Sequence, residues 1–166
     1  MPDPIATSIS TDLLHAECRF LDDRDWAAWL ELYIPDAVYW VPSWRDEYAQ
    51  TSDPDTEISQ IHHDSRRGLE ERVMRVQSGK SVTAMPLPRT THFVSNIEAS
   101  FESTGAITAR ANWMVLVYNP RTEKQHSNFG RYELGLLKTG PRWLFARKTI
   151  RLQNDRVPAL IDFYTL

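Results

Sequence analysis

The chain has 166 residues, 42% hydrophobic and 25% charged, with a formal net charge of −3. This length and composition predict one compact domain, residues 1–166, with its own core, and the absence of basic excess argues against nucleic-acid or anionic-lipid partners. No stretch approaches the ~18 apolar residues of a membrane span, and Met1–Thr11 lacks the basic start and apolar run of a secretory signal. We therefore expect a cytoplasmic protein with neither a nucleic-acid nor a membrane partner.

A first helix is predicted from about Thr11 to Leu21. Leu14, Cys18 and Leu21 fall at i, i+4 and i+7, the spacing of one helix face, and Thr11 is a suitable N-cap. Cys18 is the only cysteine, which excludes an internal disulfide framework. Because it lies on the apolar stripe, we expect a buried thiol that acts as a small hydrophobic side chain.

A second helix and a first strand follow. The helical apolar pattern restarts at Trp26 and continues to Tyr33, with an aspartate of the preceding polar run as its cap and Pro35 as its stop. The run Ala37–Val41 is rich in β-branched and aromatic residues, which predicts a short strand.

The middle of the chain is a long polar excursion from Arg45 to His63, rich in turn-forming residues. After it, Leu69, Val73 and Val76 again have helical spacing, which predicts a helix of two to three turns that stops before Gly79.

The second half of the chain predicts an antiparallel meander. Breaks of hairpin length separate four strand candidates, and their length indicates a curled sheet with bulges near Gly130 or Gly135. Helices followed by such a sheet indicate an α+β fold in which the helices close one mouth of a half-barrel. The four strands are predicted at Thr91–Phe101, Ala106–Tyr118, Gln125–Lys138 and Arg142–Gln153.

Alternation along the first of these strands predicts which side chains face the core. The predicted apolar core face carries Phe93, Ile97, Ala99 and Phe101. The predicted mixed face carries His92, Val94, Asn96 and Glu98.

Five segments in order carry a resemblance to a known family. They are Leu21–Trp29 (LDDRDWAAW), Tyr39–Trp44 (YWVPSW), Glu57–Ile61 (EISQI), Gly68–Arg75 (GLEERVMR) and Arg89–Asn96 (RTTHFVSN). Together with the aromatic end Ile161–Leu166 (IDFYTL), they resemble the small, or β, subunit of aromatic-ring-hydroxylating (Rieske non-haem iron) dioxygenases, and within it the benzoate and anthranilate group.

The resemblance implies a nuclear-transport-factor-like cone and a structural role beside a large α subunit, usually as an α3β3 hexamer. In this family the α subunit carries a Rieske [2Fe–2S] cluster and a mononuclear Fe(II), and a separate reductase takes electrons from NADH. The composition is compatible with that division, because a Rieske centre needs two Cys and two His ligands and this chain has one Cys. We therefore expect no catalytic, cofactor-binding or metal-binding residues on this chain.

Two groups of residues are candidates for other roles. A predicted subunit interface comprises Trp44, Arg45, His62, His63, Arg66 and Arg67. A predicted structural polar cluster comprises Arg89, His92 and Asn96. His62, His63 and Asp64 stand where the resemblance leads us to expect tyrosines in benzoate-type relatives, so the aromatic substrate stays open.

Two alternatives stay open at this level. A stand-alone enzyme of the same cone fold, such as an isomerase or dehydratase, would use His92, Glu98 or Asp36 as a general base and Arg89 as an anion partner. A binding module would need an open cavity. The bulky side chains expected to fill that cavity are Trp113, Met114, Phe129 and Phe145.

Overall fold

A computed structural model describes residues 1–79 and 86–166. In that part of the chain three α-helices and six strands are followed by a short 3₁₀ turn, Phe163–Thr165. The helices are α1 (Pro4–Asp22), α2 (Trp26–Leu30) and α3 (Arg66–Gln77). The strands are β1 (Tyr33–Pro42), β2 (Ser59–His63), β3 (Arg89–Phe101), β4 (Ile107–Asn119), β5 (Lys124–Thr139) and β6 (Arg142–Leu152).

The strands form a single sheet in the order β2-β1-β6-β5-β4-β3. Strands β3 to β6 pair as the predicted antiparallel meander, whereas β1 runs parallel to β6 and pairs with β2 on its other side. The helices contact one face of this sheet, with α1 against β3 and α3 against β1. We call this helix-covered side the inner face and the opposite side the outer face. The prediction of an α+β fold is confirmed.

Helix α1 begins seven residues before the predicted start. The Asp3 carboxylate accepts hydrogen bonds from the backbone N–H groups of Ile5 and Ala6, each at 2.9 Å, and Pro4 occupies the first helical position, where its missing N–H costs nothing. Thr11 therefore does not cap the helix. It lies inside α1, and its hydroxyl donates to the Thr7 carbonyl at 2.8 Å.

Helix α2 begins as predicted, with the Asp25 carboxylate accepting from the backbone N–H of Ala28. It ends at Leu30, so the prediction that Tyr33 is helical was wrong. Tyr33 instead opens β1, fully buried, because its backbone pairs with Phe145 of β6 and its ring packs there. Pro35 is tolerated in this strand because the register between β1 and β6 shifts after Tyr33.

Strand β3 changes face at Asn96, which has a left-handed backbone (φ 53°) and lies where the register with β4 shifts. Before this bulge His92 points inward and Phe93 outward, whereas after it Ala99 and Phe101 share the inner face with their partners Ala109 and Ile107, and Phe101 is partly exposed at the strand end. The predicted inward orientation was therefore correct for Ala99 and Phe101 and wrong for Phe93. Asn is among the few residues that adopt this conformation readily, and one extra residue exchanges the two faces of a strand.

Two glycines of β5 have different roles. The predicted bulge is found at Gly135, where the pairing with β6 shifts register. Gly130 instead permits close approach of two backbones, because a Cβ atom at this position would lie 1.9 Å from the carbonyl oxygen of Arg151.

We expect Gly130→Ala to lower the free energy of unfolding by about 1–3 kcal/mol, since the added methyl group must displace the backbone of β6. Chemical denaturation of the variant measures this. Gly105→Ala is the comparison, because a methyl group there has open space, so any loss of stability comes from the positive φ and not from a close approach. A Gly130→Ala variant as stable as the wild type would contradict the close approach.

Candidate subunit interface

The interior of the cone contains a buried ion pair. The Lys148 ammonium lies 2.7 Å from Glu17 Oε2, and both side chains are at most 2% exposed. The other carboxylate oxygen of Glu17 accepts hydrogen bonds from Tyr33 Oη at 2.5 Å and from Trp29 Nε1 at 3.2 Å. The Lys148 ammonium also lies 4.0 Å from the centre of the Tyr132 ring. Every polar group of this cluster is therefore engaged by another side chain.

Burial shapes the protonation of the groups around this pair. It raises the pKa of the Cys18 thiol to about 12, and the neighbouring Glu17 carboxylate raises it further, so Cys18 stays a neutral thiol as predicted for a buried cysteine. Burial and Glu17 likewise raise the pKa of Tyr33 well above its usual value. Both oxygens of Glu17 already have partners within the cluster, so it offers no unengaged base to a ligand.

The candidates for a cone enzyme do not converge on this interior. Glu98 lies on the outer face in an ion pair with Arg110, and Asp36 is exposed on β1. Arg89 is exposed, with its guanidinium 5.8 Å from the ring centre of Tyr118. Among these candidates only His92 is buried, so the geometry of a general base with an anion partner is not formed.

His92 has different neighbours from those predicted. Its Nδ1 lies 2.5 Å from Asp22 Oδ1, its Nε2 lies 3.1 Å from the main-chain oxygen of Leu166, and its backbone N–H donates to Asp22 Oδ2. The structure does not bring Arg89 or Asn96 into this group. His92 joins the end of α1 to the C-terminal segment, which is a structural arrangement.

The side chains expected to fill the cone divide between the two faces of the sheet. Trp113 and Phe145 are buried on the inner face, as predicted. Met114 and Phe129 are 38% and 45% exposed on the outer face, so the prediction was wrong for these two. Both belong to the half of the strand alternation that points away from the helices.

Trp44 and Arg45 lie at the start of the excursion. Trp44 is half-buried, and its indole N–H donates to the Leu152 carbonyl at 2.8 Å, which ties the excursion to the end of β6. Arg45 is 56% exposed and forms ion pairs with Asp46 and Glu57.

Of the other four predicted interface residues, His62, His63 and Arg67 line one cleft beside β2 and the start of α3, and Arg66 is the first residue of α3. His62 and His63 are half-buried residues of β2, so the predicted polar excursion ends in a strand. Arg66 donates to the Tyr33 carbonyl at 3.0 Å, and Arg67 is 84% exposed. A cleft of about 320 Å³ is lined by His62, His63, Asp64, Ser65, Arg67, Gly68 and Glu71.

His63 accepts a hydrogen bond at Nε2 from Arg72 Nε, at 2.8 Å. Burial, and secondarily the positive charge of Arg72, lower the pKa of His63 below its ordinary 6.5. The folded chain therefore binds this proton less readily than the unfolded chain. Stability from this site is complete above about pH 6.5 and decreases as the pH falls below that value.

We expect the free energy of unfolding to decrease between about pH 7.5 and about pH 5.5, and His63→Gln to flatten that decrease. Denaturant titrations at both pH values measure it. Burial lowers the pKa of His126 in the same direction, but that contribution is common to both proteins and cancels in the difference. Equal pH dependence in the two proteins would contradict the role of His63.

The sequence interpretation missed Glu17, Lys148 and Asp22. A signal existed for Glu17, because it falls at i+3 from Leu14 and therefore inside the apolar stripe of α1. Lys148 is two residues from the apolar Ile150 and therefore lies on the same, inner side of β6, which was a second signal. What no pattern shows is that these two residues, 131 positions apart in sequence, meet.

Within residues 1–79 and 86–166, no three His, Cys, Asp or Glu side chains lie close enough together to hold a metal ion. In the same part of the chain no helix is long and apolar enough to cross a membrane.

Comparisons with known proteins agree with this geometry. The family model described as ring hydroxylating beta subunit matches residues 16–159. The benzoate 1,2-dioxygenase subunit beta of Acinetobacter baylyi is 38% identical over 98% of this chain and 95% of that protein. The toluate 1,2-dioxygenase subunit beta of Pseudomonas putida is 39% identical over 92% of this chain and 93% of that protein.

The crystal structure of the β subunit of benzoate 1,2-dioxygenase from Burkholderia mallei superimposes with a TM-score of 0.80 at 33% identity, covering 100% of this chain and 99% of that one. This confirms the predicted cone of helices packed against a curled sheet. The chain belongs to the family of ring-hydroxylating dioxygenase β subunits.

Proposed function

We propose that this chain is the assembly subunit of a multicomponent oxygenase that cis-dihydroxylates a benzoate-like aromatic acid, with the chemistry on a large α subunit. The observation that carries the proposal is the near-full-length match to β subunits of benzoate and toluate dioxygenases. The closed Glu17–Lys148 interior supports a structural role, because it offers no unengaged base where cone enzymes bind their ligands.

The division of cofactors follows from the same proposal. The α subunit holds the Rieske [2Fe–2S] cluster and the mononuclear Fe(II), and a reductase supplies electrons from NADH. The single cysteine of this chain supports that division, since two are needed for a Rieske centre. The assembly is α3β3 in the cytoplasm, and residues 1–166 act in it as one domain.

The proposed contact with neighbouring subunits uses Trp44, Arg45, His62, His63, Arg66 and Arg67. These residues support a contact because His62, His63 and Arg67 line one cleft, Arg66 begins the adjacent helix α3, and Trp44 and Arg45 lie at the start of the loop between β1 and β2. Arg67 is largely exposed, and exposed Arg and half-buried Trp are residue types that interfaces enrich.

Co-expression with the large subunit tests the proposal. We expect the two chains to co-purify and to sediment as a hexamer-sized particle that converts one or more of a panel of benzoates to cis-diols when reductase and NADH are added. A chain that stays apart from the large subunit at micromolar concentration would contradict it. The yield of hexamer with Arg67→Ala, compared with that of the exposed control Arg121→Ala, shows whether the cleft takes part in assembly.

A second measurement separates this function from a cone enzyme. In intact complexes normalised to iron content, we expect His92→Ala, Glu98→Gln and His126→Ala to keep hydroxylation within about threefold of wild type, because a proton-transfer group would contribute about 10²- to 10⁴-fold. His92→Ala should instead lower the yield of complex, since it leaves Asp22 without its buried partner. A hundredfold loss of turnover in an intact complex would favour the cone enzyme.

A further inference from the structure

The outer face of the sheet carries an exposed apolar row. Phe93, Met114 and Phe129 are direct cross-strand neighbours on β3, β4 and β5, and they are 49%, 38% and 45% exposed. Leu116 lies half-buried next to Met114 on the same side of β4. No described element covers this row, and contiguous exposed apolar surface of this kind is typical of an interaction site.

Arginines surround the row on the same face. We call Arg89, Arg110, Arg131, Arg147 and Arg151, together with the apolar row, the arginine face. Two of the five are neutralised, Arg110 by Glu98 and Arg151 by Glu133, so the face keeps three positive charges. Among the residues that the structure describes, the guanidinium groups of Arg131 and Arg147 form no ion pair or hydrogen bond with a side chain. A partner for this face must be acidic and partly apolar.

The polar excursion between β1 and β2 is both acidic and partly apolar. We call residues 45–58 the acidic loop, because five carboxylates and one arginine give it a charge of −4. It also exposes two large apolar side chains, Tyr48 at 85% and Ile58 at 79%. The five carboxylates are Asp46, Glu47, Asp53, Asp55 and Glu57.

The acidic loop is ordered by its own hydrogen bonds. Asp46 accepts from the backbone N–H groups of Tyr48 and Ala49, and Glu57 accepts from those of Ser52 and Asp53. These bonds lower the pKa of Asp46 and Glu57 below their usual values, so both carboxylates stay ionised. A loop held in one conformation loses little conformational entropy when it binds.

We propose that the acidic loop of one copy of this chain docks on the arginine face of a second copy. The two surfaces match in sign of charge and in apolar content, and both lie on every copy. Contact of two arginine faces with each other would instead oppose like charges, which costs free energy. The inference rests on the proposed function, in which several copies of this chain share one assembly, and it names the surfaces that join them.

Sedimentation of the purified chain without the large subunit tests this contact. We expect concentration-dependent self-association that weakens as salt is added. Arg131→Glu with Arg147→Glu, and separately Glu47→Arg with Asp55→Arg, should each raise the dissociation constant by about tenfold or more. An equimolar mixture of the two double variants should associate again, because the unchanged acidic loop of the first variant meets the unchanged arginine face of the second.

Arg121→Glu is the matched control, since Arg121 is exposed on the β4–β5 hairpin, and circular dichroism of each variant verifies folding. A chain that stays monomeric, double variants that associate like the wild type, or a mixture of the two double variants that does not associate would each overturn the contact. Double variants that self-associate normally but no longer bind the large subunit would assign the arginine face to that subunit and also overturn it. A chain that never binds the large subunit yet self-associates and responds to the double substitutions as expected would refute the proposed function alone.

Discussion

Lys148→Met should lower the free energy of unfolding by about 3–5 kcal/mol, the range for a buried ion pair that loses one partner. The substitution leaves the Glu17 carboxylate inside the cone with only the Tyr33 hydroxyl and the Trp29 indole as donors. Methionine has nearly the length of lysine, so packing against Tyr132 changes little and the loss reports the uncompensated charge. Denaturant unfolding at neutral pH measures it.

Two controls show whether burial causes this loss. The double variant Glu17→Leu with Lys148→Met removes both charges and should recover most of the lost stability, because apolar pairs often replace buried ion pairs without cost. Arg110→Met breaks an ion pair of similar geometry whose side chains are 73% and 44% exposed, and it should cost at most about 1 kcal/mol. A Lys148→Met variant within that smaller range would mean that water reaches the Glu17 carboxylate.

Much of the fold was predictable because local patterns determine it. The apolar stripe of Leu14, Cys18 and Leu21 gave α1 its buried face. Alternation with hairpin-length breaks predicted the four meander strands to within two residues at each end. The interior of the cone was not predictable in the same way. Its central pair joins the first helix to the last strand, and no local pattern encodes a contact between distant segments.

The errors on β3 have a different cause. Alternation assigns a face correctly only while the strand is regular, and Asn96 inserts one residue that reverses the assignment. The prediction for Phe93 therefore failed, and with it the recognition that an apolar row lies outside the cone. The predicted interface residues were chosen for residue type on a polar excursion. Whether these residues form an interface depends on the partner surface that they meet. The sequence of one chain does not contain that arrangement.

Phe163→Ala should lower the free energy of unfolding by about 3–5 kcal/mol, the range for truncating a buried aromatic side chain. Phe163 is completely buried in the C-terminal segment. Its ring stacks on Trp29 at 4.6 Å between centroids and meets Trp26 edge-on at 5.1 Å. The segment is also held by Arg72, which lies 3.0 Å from Asp162, and by Asn128, which donates to the Thr165 carbonyl.

Because these contacts hold the C-terminal segment against α2, the truncation should loosen the whole segment as well as leave a cavity. Hydrogen exchange in the variant should therefore be faster at the backbone N–H of Thr165, which donates to the Asp162 carbonyl. Exchange of amides in the centre of β4 should change only as far as the global free energy of unfolding changes. Leu160→Ala is the matched control, since Leu160 is 79% exposed in the same segment and its truncation should change stability by at most about 0.5 kcal/mol. Equal effects of the two substitutions would contradict the packing of Phe163 against α2.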